Sequence, residues 1–282
     1  MASQLFYFGT EEQMAWVPAP KTGMTANSVK WRASGLLLNG GAFARSSTAS
    51  HLEYNMAWPV MSREESYSLI DYFNGVYGEG PFYFIDPMAA AYNVLPNWMA
   101  APRLQTVDAP SMVSGVTPNP GGWVPTNYFY PGPTAIYSLA AAQVGKQFIF
   151  PVPPGYTFRF GWHGTATGTA RVQVSGATTL AISPISSTGS FIRVSDSVVR
   201  DATGFVGVQL IGGASGGTLT LRGMTAVILP TSTPDPSGNF VSGRGNSGVL
   251  LRDDPQVTAY SAVLNNTAVG VAANFIETGA WT

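Results

Sequence analysis

The sequence predicts a mostly β protein of two β-sandwich-type domains, the first carrying a single capped helix. Three observations lead there. Short β-type runs recur through the second half at roughly ten-residue spacing, with no helical pattern between them. Several of these runs alternate apolar and polar residues, the period of a half-buried strand. Gly 32 and Pro 21 punctuate the chain without the period of collagen, while 45% hydrophobic and 12% aromatic content exclude disorder.

The first domain is expected over residues 1–100. Leu5-Phe6-Tyr7-Phe8 reads as a short strand, and Gly35 to Gly41 as another ending in a turn. From His51 to Trp58 the residues Leu52, Tyr54 and Met56 point one way and Glu53, Asn55 and Ala57 the other. Ser62-Arg63-Glu64-Glu65 then fits a capping box, with both acids favouring the positive end of the helix dipole. The helix is expected over about 62–75, with an apolar stripe of Leu69, Ile70 and Phe73 and with Gly75 ending it. Pro81 to Pro87 reads as a fully buried strand closed by a turn. The large apolar residues Phe6, Phe8, Trp58, Phe73, Phe82 and Phe84 are the expected core or oligomer anchors.

Pro, Asn and Gly crowd the chain from about Leu95 to Pro133, so residues 101–133 are expected to form an extended connector. An antiparallel sandwich is expected over 134–282. Its strands fall at Lys146–Phe150, Tyr156–Trp162, Thr169–Val174, Thr178–Ile182, Phe191–Val194, Phe205–Ile211 and Thr218–Leu229. Three more, around Val249–Leu251, Val257–Val263 and Val269–Ile276, are expected to complete the same sandwich, since three short strands alone bury too little.

Charge sets the strongest bound on function. Only 10% of residues are charged, against about 25% in a soluble domain. A 29.8 kDa monomer exposes on the order of 11,600 Å². Its 14 Lys+Arg and 15 Asp+Glu would be spread at about one per 400 Å², against roughly one per 165 Å² at average composition. A surface so poor in charge, with a net charge of −1, favours association. The chain therefore reads as part of an assembly, with much of its surface facing other subunits. The near-neutral balance without a Lys/Arg cluster argues against nucleic acid as a partner. No apolar run reaches 18 residues, so no membrane-spanning helix is expected, and the opening residues lack the pattern of a signal peptide.

Candidate chemistry is sparse. Cys 0 removes thiolate nucleophiles and thiolate metal sites. His51 and His163 are the only histidines, and His163, beside Gly164 at an expected strand end, reads as a turn residue. Glu64-Glu65 belong to a helix start, and Asp253-Asp254-Pro255 reads as a polar turn because a calcium loop needs more oxygen donors. Gly212 to Gly217 lacks the Lys-Ser/Thr of a phosphate loop and reads as a hairpin connection. No enzyme, cofactor or metal site is expected. The competing idea is a sugar-stacking platform among Trp123, Tyr128, Tyr130, Tyr137 and Trp162, with Trp162 and its neighbour His163 the best carbohydrate contacts. The plainer reading makes these aromatics core or interface anchors.

Residues Met61 to Pro87, a capped helix running into Gly75-Val76-Tyr77-Gly78-Glu79-Gly80-Pro81-Phe82-Tyr83-Phe84-Ile85-Asp86-Pro87, carry a resemblance. So do Gly243-Arg244-Gly245-Asn246-Ser247-Gly248, Thr258-Ala259-Tyr260-Ser261-Ala262 and Ala273 to Trp281. Together they resemble minor tail proteins of long-tailed, siphovirus-type phages of actinobacteria, which look like distal tail proteins. The likeness covers both ends; roughly residues 100–190 carry little of it. It implies a β-rich N-terminal domain forming a six-fold ring at the end of the tail tube, and a peripheral sandwich that is galectin-like or carbohydrate-module-like. The implied partners are copies of itself in a hexameric ring, the tail tube protein, and tail hub or baseplate proteins. The implied location is the virion tail tip, after synthesis in the host cytoplasm. The alternative is an adhesin whose sandwich grips host cell-wall glycan.

Overall fold

A computed structural model of the chain describes residues 5–10, 14–18, 20, 24–29, 32–36, 42–46, 51–100, 119–120, 135–184, 196–199, 204–233, 243, 245, 248–259 and 268–278. The fold is mostly β, built from several antiparallel sheets. In chain order the elements begin with β1 (Leu5–Gly9), β2 (Met14–Pro18), β3 (Thr25–Val29), β4 (Arg32–Leu36), β5 (Ala42–Ser46) and β6 (His51–Ser62). Next come α1 (Arg63–Phe73), β7 (Tyr83–Ile85), α2 (Pro87–Tyr92), α3 (Asn97–Ala100) and β8 (Asn119–Pro120). The middle holds β9 (Ala135–Leu139), β10 (Phe148–Pro151), β11 (Tyr156–Ala166), β12 (Arg171–Ser175), β13 (Thr179–Ile182) and β14 (Asp196–Val199). The last are β15 (Phe205–Ile211), β16 (Gly217–Pro230), β17 (Val249–Leu251), β18 (Gln256–Ala259) and β19 (Ala268–Glu277).

The chain divides into two bodies: one split in sequence, 3–84 with 247–282, and one inserted within it, 85–246. This corrects the expected boundary. The final strands do not complete the second sandwich; they return to the first domain, where the sheet order is β17-β19-β6-β3 and β18 also pairs with β19. The reason is side-chain pairing. β6 alternates inward at Tyr54, Met56 and Trp58, and β19 alternates inward at Val271, Ala273 and Phe275. Antiparallel register sets Phe275 opposite Tyr54, Ala273 opposite Met56 and Val271 opposite Trp58, so two half-buried faces become one.

α1 packs on β6 and β19, and its start is as the sequence predicts. The Glu65 amide donates to Ser62 Oγ at 3.2 Å, and the Ser62 amide donates to Glu65 Oε2 at 3.0 Å, a complete capping box. The buried stripe differs from the expected one. Ser66, Leu69 and Tyr72 face the sheet, Ile70 is half-buried, and Phe73 at the helix end is exposed. Spacing of three keeps 66, 69 and 72 in one row, while Phe73, the last residue of the helix, is 39% exposed. Phe8 is the hub of this core: its ring meets those of Tyr72, Phe82 and Phe275 edge-on, each at 5.0 Å.

The inserted body layers a sheet ordered β14-β11-β16-β9-β8 against one ordered β10-β15-β12-β13. Phe158 of β11 stacks on Phe150 of β10 at 5.5 Å, and Trp162 reaches β13. Several expected strands fall in place, Phe205–Ile211 to the residue. The expected strand at 191–194 and nearly all of the connector lie outside the described residues. The Gly212–Gly217 turn is not a hairpin connection: β15 pairs with β10 and β12, while β16 pairs with β11 and β9, so the turn carries the chain between sheets. Asp86-Pro87 does not close a strand with a turn. The Asp86 carbonyl accepts from the Ala90 amide at 2.9 Å, opening α2 with Pro87 at its first position, where the missing N–H costs nothing.

Both faces of the long sheet are covered. Phe158, Phe160 and Trp162 face the partner sheet, and Thr157, Arg159 and His163 on the opposite side of β11 are buried as well. On this sheet α2 and α3 pack against β16. Asn93, fully buried between the two helices, locks that segment to the strand. Its Nδ2 donates to the Met224 carbonyl at 3.1 Å, and its Oδ1 accepts from the Ala226 amide at 3.1 Å and the Leu95 amide at 3.3 Å. A side-chain amide here does what a neighbouring strand would do.

Candidate functional site

The best sugar contact in the sequence is a core residue in the structure. Trp162 has 0% exposure, and its Nε1 donates to the Ile182 carbonyl at 2.8 Å. The ring bridges the two sheets and offers no face for a pyranose to stack on, which corrects the expectation of a platform there. His163 is 2% exposed, so it presents no surface to a ligand either. Nor is it a turn residue, because β11 runs on to Ala166 through a bulge between His163 and Gly164. Gly164 is required at that bulge. Its φ is +153°, and a Cβ there would collide with the Thr220 carbonyl oxygen. Tyr137 is fully buried; Trp123, Tyr128 and Tyr130 lie outside the described residues. In the inserted body Tyr92 is the exposed aromatic among the described residues, at 49%.

Metal-ligating side chains do not cluster among the described residues. None of them forms a group of three or more His, Asp or Glu able to hold a metal ion. Asp253 accepts from Asn274 Nδ2 at 3.1 Å and the Asp254 carbonyl from Gln256 Nε2 at 3.1 Å, as a polar turn does. Glu53 pairs with Arg252 at 3.1 Å on the surface, a contact worth about 0–1 kcal/mol. Arg159 is buried and its Nη2 donates to the Thr233 carbonyl at 2.7 Å, which fastens the turn that follows β16. Burial pushes the Tyr72 hydroxyl up to about 12.

The anchors divide. Phe8, Trp58, Phe82 and Phe84 are buried core residues; the Phe6 side chain lies outside the described residues. Phe73 is 39% exposed, and other exposed apolar side chains fall in the same stretch of sequence, in and beside α1. Val60 is 66% exposed, Tyr67 53% and Val76 63%. Their charged neighbours in sequence are Arg63 against Glu64, Glu65, Asp71 and Glu79. This stretch, residues 60–79, combines a rigid capped helix with apolar groups left in water, and it is the candidate contact surface of the split body. Sequence reasoning missed Tyr67 and Val76, although the polar positions around Tyr67 on the helix surface were the available signal.

No family model, no curated protein and no solved structure matches this chain.

Proposed function

We propose that this chain is a structural subunit of a closed homo-oligomer, a distal tail ring protein that joins the tail tube of a long-tailed phage to its baseplate and adsorption apparatus. The observation that carries the reading is the exposed apolar stretch 60–79, where Val60, Tyr67, Phe73 and Val76 stand in water. Val60, Tyr67, Phe73 and Val76 leave water only if another surface covers them. The scarcity of charge along the whole chain supports the same conclusion. The resemblance of Met61–Pro87 and of the C-terminal segments to tail proteins supplies the setting.

The charges of the stretch favour a ring over a two-fold dimer. With Glu64, Glu65, Asp71 and Glu79 against Arg63 alone, a patch facing its own copy would set acid against acid. A heterologous contact instead pairs the patch with a different surface of the next copy, and such contacts form rings when the rotation between copies closes. Negative-stain electron microscopy of the purified protein tests the proposal. Closed six-fold rings are the expected image, and a field of isolated single-chain particles would overturn it.

A further inference from the structure

We infer that the split body is a self-sufficient carrier, and that the inserted body is a module whose unfolding, loss or exchange leaves the carrier folded. The inference does not rest on the assembly reading. The insertion leaves the carrier at Phe84 and returns at Ser247. Just before and just after it the chain is clamped by a two-way backbone bridge. The Phe82 amide donates to the Val249 carbonyl and the Val249 amide to the Phe82 carbonyl, both at 2.9 Å. Both ends of the insertion are thus held side by side by the carrier itself, whatever the inserted residues do. The cost of closing so long a loop grows only with the logarithm of its length.

The carrier also has its own complete core. Phe8, Tyr54, Met56, Trp58, Leu69 and Phe275 belong to one buried cluster drawn wholly from the two arms of the split body. The inserted body has a separate one between its two sheets, around Phe158, Trp162, Val174 and Val208. A domain with its own core, inserted where entry and exit are adjacent, meets the conditions under which insertions are tolerated.

Hydrogen exchange on the full-length protein tests this, because it reads each body separately. Val174→Ala loosens the inserted core and Leu69→Ala loosens the carrier. In Val174→Ala, slow amides of residues 135–182 and 205–230 should exchange at least tenfold faster, with those of 51–73 and 268–277 unchanged. In Leu69→Ala, the carrier amides should speed up by at least as much. If Val174→Ala accelerates carrier amides together with its own, the bodies unfold as one and the inference fails. A variant too unstable to purify is replaced by Val174→Thr or Leu69→Val and read by the same two sets of amides.

Discussion

At the scale of single residues, burial decides what the aromatics do. The alternation of Tyr156, Phe158 and Phe160 with Thr157 and Arg159 was legible in the sequence. Which side of the strand met water was not, because in this body neither side does: β11 is covered on both faces. Trp162 follows from that. Trp162→Ala should cost about 3–5 kcal/mol, and it also strands the Ile182 carbonyl that its Nε1 serves; denaturant unfolding of the variant checks the figure. Tyr72 gives a prediction in pH. Burial holds its hydroxyl protonated to about 12, against an ordinary value of 10.0. In the unfolded chain the same group ionises from about pH 10. The unfolded state therefore binds fewer protons between those values, and stability must fall as pH rises through that window. Urea unfolding at stepped alkaline pH should show the fall, and Tyr72→Phe should make it shallower.

At the scale of elements, what was legible was local. The capping box of α1 needs only four consecutive residues, so Ser62 and Glu65 announced it, and the structure forms both bonds. Ser62→Ala should cost about 1 kcal/mol. Leu69→Ala, at the centre of the buried row, should cost about 2–5 kcal/mol, and thermal unfolding of both variants should rank them in that order. Strand partnership was not legible, because it joins residues far apart. The Leu52 amide donates to Glu277 Oε2 at 3.1 Å across 225 positions, and nothing in either segment alone names the other. The end of the chain therefore read as more of the nearest sandwich. Helix α2 was missed for a different reason: Asp-Pro is shared by turns and helix starts, and only the following Met88-Ala89-Ala90-Ala91 distinguishes them.

At the scale of the whole molecule, the mostly β character followed from composition and spacing. The candidate surface followed only in part. Low charge pointed to a covered surface without saying where, and Phe73 entered the reading as a core-stripe residue before its exposure made it a surface one. Phe73→Ser, being exposed, should change unfolding by no more than about 0.5 kcal/mol, while weakening self-association if residues 60–79 form the contact. Light scattering after size exclusion, on the wild-type protein over a range of concentration, tests the central claim most directly. An assembly of this kind should give about six times the 29.8 kDa chain mass. A mass of one chain at every concentration, with no larger species, would contradict the account.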